Sequence, residues 1–201
     1  MNFSNEKNVP YNILGVDPGT NILGYAVLQV EGKLLKLIDF GIISLQKYGE
    51  HHDKLKEIFL QLQEIIETYR PSQMAIEAPF YGKNVQSMLK LGRAQGVSMA
   101  AGITMGLQIE EYAPKKIKQS ITGNGNASKE QVAAMLENIL KIKIDSKFLD
   151  ATDALGVAVC HYNQQGPIPK STKTTPTNGA KKAKDWSAFV KENPDKIKHN
   201  P

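Results

Sequence analysis

Four carboxylates in this 201-residue chain stand in apolar surroundings, where a folded protein seldom leaves a charge without a use. Asp17 ends the run "ILGVD" and is followed at once by Pro18 and Gly19. Glu77 ends the short run "MAIE", and Asp150 and Asp153 lie three apart in "DATDALGVAV", so they share one face of a helix. Brought together in a half-buried place, such groups would repel one another and raise each other's pKa values. A divalent cation relieves that repulsion, and oxygen ligands with few His or Cys residues suit Mg²⁺ or Mn²⁺. Two such ions about 3.5–4 Å apart can clamp the attacking water and the leaving oxygen of a phosphodiester. Each acid taken singly has a plainer account. Asp-Pro-Gly is good turn chemistry, a strand-end Glu commonly pairs with a cation, and an Asp pair suits the first turn of a helix.

The elements that would position these groups are legible as patterns. Residues 12–17, 23–30 and 33–45 read as three strands joined by short turns, an antiparallel meander. Leu55, Ile58, Phe59, Leu62, Ile65, Ile66 and Tyr69 recur at helical spacing, and Pro71 ends that helix. A buried strand follows at 72–77, then a helix rich in small residues at 84–106 and a strand at 107–113. Helices are expected around 114–121, 128–140 and 147–164. The order predicts an α/β domain over residues 11–165, built on a mixed five-stranded sheet flanked by helices. Residues 1–10 form a polar extension. Residues 166–201 hold five of the ten prolines in low-complexity order and are expected to be disordered.

Charge divides along the same boundary. The tail carries eight lysines against Asp185, Glu192 and Asp195, whereas residues 1–165 hold 17 basic and 17 acidic groups. The net charge of +5 therefore sits in the tail, and the high pI alone says little about the body. Within the body, seven basic residues lie between Phe80 and Lys129 against only Glu110 and Glu111, a strip suited to phosphate or to a solvated helix face. "TGNGNASK" could offer amides to a phosphate or simply cap the helix opening at Ser128. His161 reads as structural, His51 and His52 as surface residues, and "DWSAFVKE" in the tail as one amphipathic turn. A lone Cys160 excludes an intramolecular disulfide, and no apolar run approaches the ~20 residues of a membrane span. A cytoplasmic protein with no membrane association is expected.

Four long blocks go further than these patterns. "ILGVDPGTNILGYAVLQ", "MAIEAPFYGKNVQSMLKLGRAQG", "YAPKKIKQSITGNGNASKEQV" and "DATDALGVAVCH" resemble, in order, the blocks of the RuvC family of Holliday-junction resolvases, over about residues 12–163. The resemblance implies an RNase H-like fold and a homodimer that binds four-way DNA junctions. It also implies metal-dependent, symmetric nicking of two opposed strands in recombination and repair, in partnership with the RuvA and RuvB branch-migration complex. The family's catalytic, metal-binding carboxylates fall on Asp17, Glu77, Asp150 and Asp153, with Asp17 bridging two Mg²⁺ ions that Mn²⁺ could replace. Its DNA-contacting lysines fall on Lys118 and Lys129, and its junction-centre aromatic falls on Phe80.

This chain departs from the pattern at Ala78-Pro79, where a Gln and an aliphatic residue are common, and Pro79 would stiffen the approach to Phe80. From composition alone, Phe80 and Tyr81 at the end of a strand read first as core residues, and it is the resemblance that makes Phe80 a DNA contact. Competing functions are a related RNase H-like nuclease acting on ribosomal RNA precursors, an ATPase of the sugar-kinase and actin group, and a junction-binding protein without activity. The Phe80 block and the two lysines disfavour the first. The short chain disfavours the second, and the presence of all four acids disfavours the third.

Overall fold

The computed structural model describes residues 9–79, 84–144 and 149–165, with Leu149 and Asp150 described by backbone alone. Residues 1–8, Phe80 and the tail from 166 onward lie outside the described residues, as does the expected start of the last helix at 147.

Three strands open the domain: β1 (Tyr11–Asp17), β2 (Ile22–Glu31) and β3 (Leu34–Ser44). Helix α1 (His51–Tyr69) presents Ile58, Leu62, Ile65 and Ile66 on its buried face, as the periodicity predicts. Pro71 cannot continue that helix, and Arg70 closes it in the left-handed region with its N–H on the Ile66 carbonyl. Then come β4 (Gln73–Glu77), α2 (Val85–Thr104), β5 (Gln108–Tyr112), α3 (Pro114–Thr122), α4 (Lys129–Leu140) and α5 (Leu149–Gln165). Pro114 sits where its missing N–H costs nothing. Ser128 and Gln131 form a reciprocal capping box that pins the start of α4, so the "TGNGNASK" segment is at least a capped connector.

The sheet runs β3-β2-β1-β4-β5, with the first three strands antiparallel and β1, β4 and β5 mutually parallel. It is the mixed five-stranded sheet the sequence predicts. Alternation along β1 and β4 feeds two cores. Leu14, Val16, Met74 and Ile76 pack with α1 and α2 on one face, whereas Ile13 and Ala75 pack with α3, α4 and α5 on the other. Helix α5 is the most enclosed element: from Ala151 to His161 every residue is buried except Asp153.

Candidate metal centre and nucleic-acid contacts

Asp17 and Glu77 are the last residues of two adjacent parallel strands. The register pairs Val16 with Ile76, so the two acids are the next pair along, about one strand spacing apart. Because Leu14, Val16, Met74 and Ile76 face α1 and α2, alternation turns Asp17 and Glu77 to the opposite face, toward α5.

Close packing brings α5 to them. A Cβ on Gly15 would lie 2.2 Å from the Ala154 carbonyl oxygen and 2.9 Å from the Ala158 methyl. Only glycine admits the helix backbone this near the central strand. Asp153, immediately before Ala154, is thereby carried to the strand ends. Asp150 lies one helical turn earlier, about 4.5 Å along the axis. Gly19 serves the neighbouring turn: a Cβ there would lie 1.8 Å from the Ile22 carbonyl oxygen, so the chain leaving Asp17 can fold back tightly only with glycine.

Asp17, Glu77 and Asp153 line one cavity of about 340 Å³ together with Lys118 and Lys129. Thus five of the seven predicted site residues meet, although they come from β1, β4, α3, α4 and α5. The Asp150 side chain and Phe80 lie outside the described residues. The Ala78 N–H still donates to the Tyr112 carbonyl at 2.9 Å, so the chain leaves β4 tethered to β5 before reaching Phe80.

The electrostatics are those of crowded acids. Burial first, then the charges of Asp17 and Asp153, push the Glu77 carboxyl up to about 8, while Lys129 and Lys118 pull the other way. Lys129 Nζ pairs with Asp153 Oδ2 at 2.5 Å. Lys118 Nζ donates to the Ala127 carbonyl at 2.8 Å and so ties α3 to the loop before α4, a structural bond the sequence does not disclose. An ammonium has three donors, and this bond uses one.

A hard divalent cation suits this donor set, since the acids supply only oxygen and one is already held uncomfortably near neutrality. Among the described residues, no three metal-ligating side chains form a finished cage. Asp153 is instead turned to an ammonium.

The histidines separate cleanly from this site. His161 is buried, with Nδ1 2.8 Å from the Tyr112 hydroxyl and Nε2 within hydrogen-bond distance of Gln73 Oε1 and Gln165 Nε2. Gln73 opens the strand that Glu77 ends, about 13 Å away, so His161 is structural as expected. Burial also holds its pKa below the usual value. His52 is exposed, but His51 departs from the surface expectation. It is half-buried, and its Nε2 is enclosed without a hydrogen-bond partner among the described residues. Sequence reasoning missed Asn21, whose Oδ1 accepts from Lys54 Nζ at 2.9 Å and braces the loop after Asp17 against α1. Its only signal was its place in that turn.

Comparison with known proteins agrees with the site. The profile of the family described as crossover junction endodeoxyribonuclease RuvC matches residues 13–161. A protein of that name from Cytophaga hutchinsonii is 56% identical over 201 residues, covering 100% of this chain and 95% of its own. Its namesake from Christiangramia forsetii is 52% identical, covering 98% of this chain and all of its own. Among solved structures, Thermus thermophilus RuvC in complex with Holliday junction substrate superposes with a TM-score of 0.71 at 28% identity, over 77% of this chain and 94% of that one. The expected RNase H-like fold is therefore the fold observed. A profile match over most of the chain, near-complete relatives above half identity and a shared fold lead to one conclusion: this chain belongs to the RuvC family of crossover junction endodeoxyribonucleases.

Proposed function

We propose that this chain is a structure-specific endonuclease that resolves Holliday junctions by nicking two opposed DNA strands symmetrically. The observation that carries this reading is the single cavity in which Asp17, Glu77 and Asp153 meet beside Lys118 and Lys129. Acids alone would repel a phosphodiester, and lysines alone would only bind it. Their juxtaposition suits a site that holds a cation and a phosphate together.

Asp17, Glu77, Asp150 and Asp153 would hold the metal, taken as two Mg²⁺ ions with Mn²⁺ able to substitute. When bound, the ions lower the pKa of the attacking water and offset charge on the leaving oxygen. The protein's own groups do the positioning. The parallel strand ends set Asp17 and Glu77 side by side, and α5 brings Asp153 to them. The lysines meet the DNA backbone, which supplies affinity without reading sequence. Phe80, following Glu77 by three positions, would stack against unpaired bases at the junction centre, where such contacts are worth roughly 1–3 kcal/mol each.

Two opposed nicks require two copies of the site, hence a homodimer. Along α2, Val85, Leu89 and Ile103 are exposed on the same side as Gly92 and Gly96, whose missing side chains leave open space. That stripe supports close approach of a second helix. Division into residues 1–10, a nuclease domain over 11–165 and a basic tail over 166–201 completes the reading. Function with RuvA and RuvB in the cytoplasm belongs to the same proposal, and membership of the family supports it. No helix among the described residues is long and apolar enough to cross a membrane.

The test is Mg²⁺-dependent cleavage of a synthetic four-way junction beside linear duplex and an RNA–DNA hybrid. Paired, symmetric nicks confined to the junction are expected. Cleavage of the hybrid, or of nothing, would leave the fold standing and overturn the function.

A further inference from the structure

Lys118 and Lys129 line the same cavity but are held in different ways. The Lys118 ammonium is bonded to a backbone carbonyl of the loop before α4. The Lys129 ammonium is paired with a carboxylate that the proposed function assigns to the metal. Lys129 is the first residue of α4, and the capping box of Ser128 and Gln131 pins its backbone. Its side chain, by contrast, is 58% exposed, against 25% for Asp153. A fixed base with a long, exposed, four-carbon stem allows the ammonium to exchange partners without moving the helix.

We infer that Lys129 is an exchangeable counter-ion that couples metal binding to DNA binding: it sits on Asp153 in the protein alone and passes to a DNA phosphate when the junction enters. The inference rests on the proposed reading of Asp153 as a metal ligand. A cation approaching Asp153 meets the Lys129 charge there, so each opposes the other. A phosphate arriving from solvent offers the ammonium an alternative anion and releases Asp153. Metal and DNA then bind with positive linkage, and by thermodynamic necessity the coupling is the same in both directions. The protein would fill its metal site poorly until a phosphate is in place, which restricts hydrolysis to engaged DNA.

The experiment measures Mn²⁺ binding by the paramagnetic resonance signal of the free ion. The full-length protein and its Lys129→Gln and Lys118→Gln variants are each titrated alone and with a four-way junction made uncleavable at its scissile phosphates. A titration of the junction alone supplies the DNA's own Mn²⁺ uptake for subtraction. The wild-type protein is expected to gain at least about fivefold in affinity when junction is added, the low end of typical coupling between sites. Lys129→Gln is expected to bind Mn²⁺ that much more tightly without DNA and to gain little from it. Lys118→Gln is expected to retain most of the wild-type gain on adding DNA.

Equal affinities for wild type and Lys129→Gln in the absence of DNA would overturn the inference while leaving the metal site intact. The same change in both variants would also overturn it, by reducing the effect to the general field of the cavity. No Mn²⁺ bound by any of the proteins, with or without junction, would instead remove the metal reading on which the inference rests.

Discussion

At the scale of single residues, the site is a balance of charges in a half-buried place. Asp17 ends the central strand, beside Glu77 and below α5. Asp17→Asn keeps its shape and removes its charge, so junction nicking is expected to disappear. Binding, followed by gel shift in EDTA, should hold or improve because a phosphate meets one fewer repelling carboxylate. Retained cleavage would show that Asp17 holds no essential metal.

Glu77 makes a second, metal-free prediction. Its folded carboxyl titrates at about 8, against an ordinary value of 4.5. Between those values the folded protein therefore holds more protons than the unfolded chain, and stability falls as pH rises. Relative to Glu77→Gln, the wild type should be comparably stable below about pH 4.5 and lose ground progressively as pH rises through 8. Urea unfolding of both proteins in EDTA across this range is the check. Subtracting the variant removes the opposing slope of buried His161, whose lowered pKa favours folding as pH rises. Parallel profiles would show that Glu77 is not held in its protonated form.

At the scale of elements, the contact between β1 and α5 decides whether the acids meet. A helix carrying Asp153 is useful only if it lies almost against the strand that carries Asp17, and Gly15 makes that possible. Gly15→Ala puts a methyl group into the Ala154 carbonyl, which must move. Overpacking of this kind costs typically about 1–3 kcal/mol, and here it also lifts Asp153 away from the strand ends. Lower stability in urea together with a larger fall in nicking is expected. Unchanged activity would mean that α5 has more freedom than its burial suggests. The other end of α5 is anchored by the polar set of Tyr112, His161, Gln73 and Gln165, with the Tyr11 hydroxyl donating to Gln165 Oε1 at 3.2 Å. The helix is thus held at one end by hydrogen bonds and near the other by a glycine contact.

At the scale of the whole molecule, the net excess of positive charge lies in residues 166–201. Truncation after Gln165 removes the excess of +5 and keeps the last member of that polar set. The shortened protein is expected to fold with near-normal stability and to cleave junctions. Its DNA affinity should be lower and less steeply dependent on salt, since fewer counterions are released. A truncated protein that fails to fold would show that residues 166–201 belong to the body.

Much of this is legible in the amino-acid sequence. Helical and strand periodicities place the element ends that fall among the described residues to within about two residues, because burial on one face imposes period 3.6 or 2 on apolar side chains. Acids at the ends of such patterns stand out for the same reason. What periodicity cannot carry is register and long-range pairing. Nothing in "VDPGT" or "MAIEA" says that Asp17 and Glu77 are neighbours; only the parallel pairing of β1 with β4 does. Nor do the positions of Lys129 and Asp153, 24 residues apart, announce an ion pair. His161 reads as structural from the sequence, but its partners Tyr112 and Gln73 lie 49 and 88 residues away and are invisible locally. The chemistry of the site was therefore settled by residue types that one strand or one helix displays by itself. Its geometry was settled by close packing, which sums contacts from five elements and is written in no single one of them.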